Sequence, residues 1–531
     1  MSFVSEGFLL FLLLLLAAYY LLPKRWQPYV LLAGSYVFYA FSGLRNLFYI
    51  AFTTLTTYFG ARWIENYQKK RQDALLAMDS PSVEIKKAWK QNTSRTKHWI
   101  MTAVLIANFG VLAYVKYFSY LYSVVASFLV SRGAGSQGAA FSILLPMGIS
   151  FFTFQALGYL IDVTRNKHAA EKNIFKYALF VSFFPQLIQG PISRFTQLGE
   201  QLYSEHPFEI KNIRHGLLLA LWGYFKKMVV ADHLAVFVGA LFSSWAEQKG
   251  IQVFFSGVFY GIEIYADFSG GIDVARGVAM MLGIQVTQNF EQPFFAVSIS
   301  DFWRRWHITL GAWMRDYVFY PLAMSKTFNN LGKWCKKHMN PDIGKLIPTC
   351  LIAIINFLLI GIWHGPNFKY VMYGLYNGLI VSVGTLIAPG ISAFLKKKNI
   401  SENSTVLRFL RILRTFILVT FGRIIAHADS WAVGKSMLAA MFTKSSAGAD
   451  WIAWLKQGEL TSSIWILMLI GIAVIFLRDI VVERGVNLYE KFDSLHIVWR
   501  VLILDAFILL ILLFGVYGIA YNSSAFLYGG F

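Results

Sequence analysis

Residues 301–322 read DFWRRWHITLGAWMRDYVFYPL, and residues 351–367 read LIAIINFLLIGIWHGPN. The second stretch has the apolar composition of a membrane helix up to Trp363, where His364 and a Gly-Pro pair interrupt it. A polar side chain within a bilayer is costly and usually faces a helix bundle or a water-filled path. The two stretches therefore predict a helical membrane fold in which His364 has a catalytic or ligand-binding role. The alternative is a buried histidine bonded to a backbone carbonyl.

The composition of the whole chain extends this interpretation. Of its 531 residues, 56% are hydrophobic and 17% aromatic, and the mean hydropathy is +0.52. This is far more apolar surface than one soluble core could bury. A helical span takes ~20 apolar residues, and about eleven such stretches can be distinguished, several of them interrupted by Gly or Pro. Because no internal repeat or low-complexity linker is found, we expect one all-α, polytopic membrane domain over residues 1–531.

The formal net charge of +20 is carried by basic residues that lie between the apolar stretches. This distribution is typical of cytoplasmic loops in a plasma-membrane protein and does not indicate nucleic acid as a partner. The longest basic segment, residues 67–98, is expected to be a cytoplasmic loop. The same charge bias predicts that both termini are extracytoplasmic. Cys335 and Cys350 are too few for a disulfide framework or a cysteine metal site.

Two interruptions of the apolar stretches predict broken helices. The first is formed by Pro146 and Gly148, and the second by Pro185, Gly190 and Pro191. Irregular backbone at membrane depth is tolerated only where protein or a cavity surrounds it. Both interruptions therefore favour an architecture that lines a cavity, although a loop at the membrane interface explains the second nearly as well.

Three charged residues, Asp267, Asp273 and Arg276, lie in or near the membrane in YADFSGGIDVARG. Pairing of Arg276 with one aspartate would offset part of the cost of burying these charges. We favour a structural ion pair over direct catalysis for these residues.

His307 follows Arg304, Arg305 and Trp306 in a segment whose charges and aromatic residues suit an amphipathic helix at the cytoplasmic interface. An ordinary interfacial histidine and a functional one are equally compatible with this position. No HExxH, P-loop or GxSxG pattern accompanies His307 or His364, so the sequence predicts no bound metal ion and no serine nucleophile.

Several blocks, taken together, carry a family resemblance. They are LLPMGISFFTFQALGYLIDV, FVSFFPQLIQGPISRF, DFSGGIDVARGVAMMLGI, NFEQPFFAVSISDFWRRWHITLGAWMRDYVFYPL and GIWHGPNFKYVMYGLYNG. In this order they resemble the membrane-bound O-acyltransferases, above all the alginate O-acetylase branch, with the teichoic acid D-alanyl transferases more distant. Two details depart from that branch: GIDVA follows DFSG, and AMSK follows the YPL of the fourth block. The second departure leaves the substrate open.

The resemblance implies that His364 is the family's invariant histidine and His307 its second motif histidine. Trp363, Trp306, Arg304, Arg305 and the three buried charges would line or support a central funnel and tunnel. An acyl thioester, either acetyl-CoA or an acyl-carrier protein, would enter from the cytoplasm as a co-substrate, with no permanently bound cofactor. A neutral imidazole can take the proton of an acceptor hydroxyl, and such help contributes ~10²–10⁴-fold to the rate.

The C-terminal segment 522–531 ends in FLYGGF, which resembles the end of the small partner proteins of D-alanyl transferases. We hypothesise that Tyr528 is an acyl relay, activated by His364. A disordered tail or an interfacial anchor is the alternative.

Three functions follow from these observations. The first is O-acylation, with acetyl as the expected group, of an extracytoplasmic glycan, aided by membrane lipids and an extracytoplasmic esterase-like partner. The second is D-alanyl transfer to teichoic acid from a cytoplasmic carrier protein. The third, of another class, is a transporter with a midplane site, which would require internal repeats that the sequence lacks.

Overall fold

A computed structural model of the chain describes residues 1–132 and 146–517. Within these ranges the regular structure is helical, apart from one isolated antiparallel bridge between Phe290 and Trp306. The all-α prediction is therefore confirmed. The hypothesis for Tyr528 and the segment 522–531 lies outside the described residues.

The helices of the first half of the chain are numbered in chain order. They are α1 (Glu6–Leu21), α2 (Gln27–Ala40), α3 (Asn46–Leu76), α4 (Val83–Ser131), α5 (Ile149–Thr164), α6 (Ile174–Ser182), α7 (Phe184–Leu187), α8 (Phe195–Tyr203), α9 (Ile210–Tyr224), α10 (Asp232–Ser243) and α11 (Gly250–Met281). A π-helical segment, Phe225–Ala231, joins α9 to α10.

The second half contains shorter helices followed by long apolar ones. They are α12 (Ile299–Arg305), α13 (Ile308–Met314), α14 (Tyr320–Ala323), α15 (Lys326–His338), α16 (Pro341–Gly344), α17 (Ile347–His364), α18 (Phe368–Lys397), α19 (Thr405–His427), α20 (Trp431–Thr443), α21 (Trp451–Lys456), α22 (Ser462–Glu483), α23 (Leu488–Ser494) and α24 (Ile497–Phe514). A second π-helical segment, Arg315–Phe319, precedes α14.

The described residues divide into two compact units. The first unit contains Met1–Leu217 and Ala275–Thr287, and the second contains Leu218–Val274 and residues 288–517. In the first unit every residue of α5 is buried, and α3 packs against both α4 and α5. The largely apolar composition of α5 fits this central position in its unit.

Both predicted helix breaks are present in the first unit. At the first, Gly148 has φ 71° and precedes α5; a Cβ there would overlap the carbonyl oxygen of Leu187, so both the conformation and the close approach require glycine. At the second, α7 ends at Leu187 and the next helix begins at Phe195. The buried backbone between them is held by a 2.5 Å hydrogen bond from Gln186 Nε2 to Ser193 Oγ.

Several helices are longer than the sequence analysis predicted. Residues 67–98 are not an irregular loop, because α3 continues to Leu76 and α4 begins at Val83. Good helix formers fill this segment, and the Arg71 guanidinium stacks 3.3 Å above the Trp89 ring to hold the two helices together. The helix α4 continues without a break to Ser131, and the DFSGG stretch lies inside α11.

Five helices of the described ranges have the length and composition needed to cross a membrane. The count of about eleven spans therefore stays a prediction, since the other apolar helices are shorter or carry more charge. The five candidate spans are Val83–Ser131, Pro341–His364, Phe368–Lys397, Ser462–Glu483 and Ile497–Phe514.

Candidate active site

His364 is the last residue of α17, as the break at Gly365 and Pro366 predicted. Asn367 then caps the following helix, because its side-chain oxygen accepts a hydrogen bond from the Lys369 amide at 3.0 Å. The His364 side chain is buried, with 6% of its surface exposed. The turn between α17 and α18 thus holds an imidazole inside the second unit.

Aromatic rings surround His364. The centroid of its ring lies 4.9 Å from that of Trp363 and 6.0 Å from that of Tyr373. Tyr370 stacks on the imidazole at 6.1 Å. These rings fix the orientation of the imidazole and reduce its contact with water.

His307 lies between α12 and α13 in the left-handed conformation, with φ 48° and ψ 52°. Such a conformation is uncommon for a residue other than glycine and often marks a functional site. The side chain is buried, with 2% of its surface exposed. Burial lowers the pKa of His307 well below its usual range, which keeps the imidazole neutral.

Asn289 determines the tautomer of His307. The Asn289 side-chain oxygen accepts hydrogen bonds from the amide and the hydroxyl of Thr309, both at 3.0 Å. It also lies 3.3 Å from His307 Nδ1. Because this oxygen can only accept, Nδ1 must donate, and Nε2 of the neutral ring is then the atom able to accept a proton. The sequence analysis did not single out Asn289, although it lies at the start of the NFEQPFF block.

The two histidines contact the same indole ring. The centroid of Trp363 is 6.0 Å from that of His307 and 4.9 Å from that of His364. The structure therefore places both imidazoles against one aromatic side chain.

A cavity of about 230 Å³ opens beside His307. One wall comes from α12 and α13, and the other from α17. The lining residues that bear on the chemistry are Trp303, Arg304, His307, Arg315, Asn356 and Phe357. This volume is sufficient for a small acyl group.

Trp306 and Arg305 support the site without lining this cavity. Trp306 is 1% exposed and stacks on Phe302 at a centroid distance of 5.6 Å. Arg305 forms ion pairs with Glu483 at 2.7 Å and Asp301 at 3.3 Å. These contacts tie the loop that carries His307 to α12 and α22.

The buried aspartates pair with lysines that the sequence analysis missed. Lys226 Nζ lies 2.8 Å from Asp273, and Lys227 Nζ lies 2.5 Å from Asp267 and 2.8 Å from Asp232. Arg276 also donates a hydrogen bond, from Nε to the Val286 carbonyl at 3.4 Å, and its pairing with one aspartate stays a prediction. These ion pairs support the structural interpretation of Asp267 and Asp273. In the described ranges, no group of three or more His, Cys, Asp or Glu side chains could hold a metal ion.

Comparison with known proteins assigns the chain to a family. A family model described as "MBOAT, membrane-bound O-acyltransferase family" matches residues 164–422. The probable alginate O-acetylase AlgI of Azotobacter vinelandii is 31% identical over 87% of this chain and 81% of its own length. The peptidoglycan O-acetyltransferase of Helicobacter pylori is 29% identical over 72% of this chain and 68% of that protein. The teichoic acid D-alanyltransferase of Streptococcus thermophilus is 29% identical over 50% of this chain and 63% of its own length.

The fold defines a multi-pass helical membrane protein, and two buried imidazoles in it pack against one tryptophan. The chain belongs to the membrane-bound O-acyltransferase family and is an acyltransferase. The matched range contains both histidines, and the resemblance that the sequence motifs indicated is confirmed.

Proposed function

We propose that this acyltransferase moves an acetyl group from a cytoplasmic thioester to a hydroxyl of an extracytoplasmic polysaccharide. The observation that carries the proposal is that His307 and His364 both pack against Trp363, and that His307 lines a cavity. The relatives named for alginate and peptidoglycan O-acetylation support the choice of acetyl and of a glycan acceptor. Acetyl-CoA or an acyl-carrier protein would supply the thioester.

The proposed chemistry needs one proton acceptor close to the thioester. His364 takes the proton of the attacking hydroxyl as its oxygen bonds to the thioester carbonyl carbon. The tetrahedral intermediate then collapses, the carbon–sulfur bond breaks, and the thiolate receives the proton from His364. His307, held neutral with Nε2 as acceptor, orients the thioester or the hydroxyl beside it.

The direct test measures acyl-thioester cleavage and acyl transfer by the purified protein in lipid nanodiscs. His364→Ala should lower the rate by ~10²–10⁴-fold, because it removes the general base. His338→Ala is a matched control, since His338 is an exposed histidine at the end of α15. Normal transfer by His364→Ala would remove His364 from the mechanism.

Tyr528 is the proposed acyl relay between this site and the final acceptor. Its hydroxyl would attack the thioester first, lose its proton to His364, and pass the acyl group to an extracytoplasmic esterase-like partner. Tyr528→Phe should abolish glycan acylation in cells, whereas Tyr517→Phe should not. Wild-type glycan acylation by Tyr528→Phe would exclude the relay.

D-alanyl transfer remains the second candidate because a relative named as a teichoic acid D-alanyltransferase matches half of the chain. The two candidates differ in the donor. Acylation with acetyl-CoA but not with a D-alanyl carrier protein would support the acetyl proposal, and the opposite preference would replace it.

A further inference from the structure

One buried cation near the site has no acid partner in the described part of the chain. Arg423, in α19, is 3% exposed. Its guanidinium carbon lies 3.9 Å from the centre of the Trp306 ring and 5.8 Å from that of Phe302. Stacking on an aromatic face stabilises a guanidinium but satisfies none of its N–H donors.

The two unsatisfied nitrogens of Arg423 form one edge of the guanidinium. Neither Nε nor Nη2 donates a hydrogen bond to any described residue. The N–H bonds of these two atoms point in the same direction, and this is the edge that holds a carboxylate or a phosphate by two parallel hydrogen bonds. The stacked face is occupied by Trp306, while the edge suited to an anion with two oxygens is buried and makes no hydrogen bond within the described residues.

Arg423 is connected to both histidines through its neighbours. Trp306, on which it stacks, directly precedes His307 in the chain. Phe302, its other aromatic neighbour, packs against Trp303, whose ring lies 6.5 Å from that of Tyr373. The Tyr373 ring in turn packs 6.0 Å from that of His364. A buried charge without a partner is costly, and such groups in membrane proteins mark substrate paths. An ion pair within the protein would have removed this cost, so the position of Arg423 needs another explanation.

We propose that Arg423 is an anion-binding residue of the active site, which holds a carboxylate or phosphate group of a substrate through Nε and Nη2. The inference rests on the proposed acyl transfer and adds a substrate class to it. Two sources offer this chemistry: a phosphate of the thioester donor, or a carboxylate of an acidic sugar in the acceptor. In either case the bound anion positions the substrate relative to His307 and His364, and the chemical step itself is unchanged.

The test compares Arg423→Met and Arg423→Lys with the wild-type protein in lipid nanodiscs. Thioester cleavage is measured with acetyl-CoA and with S-acetyl-N-acetylcysteamine, which has no phosphate. Transfer is measured with oligosaccharides that contain uronic acids and with neutral ones of the same length. Arg423→Met should raise the KM of the anionic substrate by roughly 10–100-fold and leave that of its neutral counterpart unchanged. Arg423→Lys should restore part of the difference in KM between the anionic and the neutral substrate. It keeps the positive charge but lacks the two parallel N–H donors of the guanidinium.

The substrate whose KM changes identifies the source of the anion. A change confined to acetyl-CoA assigns the site to a donor phosphate, and a change confined to the uronic acid acceptor assigns it to an acceptor carboxylate. If Arg423→Met changed the KM of charged and neutral substrates equally, and Arg423→Lys did not reduce the change, the proposal would be overturned in favour of a packing role for Arg423.

A binding measurement separates this inference from the proposed function. If the wild-type protein cleaves neither thioester, the acyl-transfer proposal fails on its own. Thermal unfolding with added inorganic phosphate or acetate then tests Arg423 directly. A rise in the wild-type Tm that is absent in Arg423→Met would support the anion site, and equal Tm changes in both proteins would reject it.

Discussion

At the scale of single residues, the protonation and the tautomer of His307 are determined by its surroundings. Burial keeps the imidazole neutral, and Asn289 directs the proton to Nδ1. The left-handed backbone at His307 is held by an amide hydrogen bond from Ile308 to the Asn289 carbonyl at 3.0 Å. One asparagine therefore controls the backbone, the tautomer and the orientation of this histidine.

The first prediction concerns this asparagine. Asn289→Ala should destabilise the protein by about 1–3 kcal/mol, because the buried amide and hydroxyl of Thr309 lose their acceptor. It should also lower thioester cleavage, because both tautomers of His307 become accessible. Thermal unfolding and the cleavage assay measure the two effects. Thr309→Val is the control, since it removes only the hydroxyl bond; an equal loss of activity in both variants would refute the tautomer argument.

At the scale of elements, glycines bring α17 and α18 close together around the turn that carries His364. A Cβ at Gly374 would overlap the carbonyl oxygen of Phe357, and one at Gly361 would overlap that of Tyr370. A Cβ at Gly378 would lie 2.8 Å from the Ile354 Cα. Small residues at a membrane helix interface permit such close backbone packing. The position of His364 thus depends on the packing of the two helices below it.

The second prediction tests this packing. Gly374→Ala should cost about 1–3 kcal/mol, because the added methyl group forces α17 away from α18. The displacement should also lower activity, although residue 374 has no role in the chemistry. Gly384→Ala is a matched control on the same helix, since nothing lies within 4 Å of a Cβ at that position. Thermal unfolding of both variants checks the difference; equal stability would show that the helices separate without cost.

At the scale of the whole molecule, the second unit contains a buried network of charges that connects its helices. Lys226 and Lys227 both lie in the π-helical segment before α10 and pair with aspartates of α11. Tyr265 of α11 donates a hydrogen bond to Asp479 of α22 at 2.6 Å. Removing one member of a buried ion pair leaves a charge without compensation, which costs far more than the pair contributes.

The third prediction follows from this asymmetry. Lys227→Met should destabilise the protein by about 3–5 kcal/mol, because the carboxylates of Asp267 and Asp232 lose their common partner. Lys435→Met provides the control, since Lys435 is exposed on α20. The free energies or temperatures of unfolding of the two variants are compared. A similar value for both would mean that the aspartates are not charged in the folded protein.

Much of this architecture is predictable from the sequence because apolar length and helix breakers are local properties. The break after Trp363, the start of α5 at Gly148 and the irregular segment after Leu187 were all expected from Gly and Pro alone. The extension of α3 and α4 into residues 67–98 was not, because a run of charged residues resembles a loop even where its helix propensity is high.

The site was predictable only in part, because contacts between distant segments have no local signal. His364 and His307 stood out as polar residues among aromatic ones. Asn289 did not, since an asparagine between apolar segments resembles any turn residue. Arg423 in TFGRIIAH resembles a single basic residue at a span end, and its burial against Trp306 depends on the packing of α19 against α12.

The π-helical segment Phe225–Ala231 tolerates neither the gain nor the loss of a residue. A π-helix has an additional residue in each turn, and this allows two consecutive lysines to reach acids on the same neighbouring helix. Deleting one residue would replace the wide turn by an ordinary α-helical one, in which successive side chains lie about 100° apart, and Lys226 and Lys227 would no longer both face the acids of α11. Insertions and deletions should therefore be absent from this segment in functional homologues, whereas the exposed turn at residues 77–82 should vary freely in length.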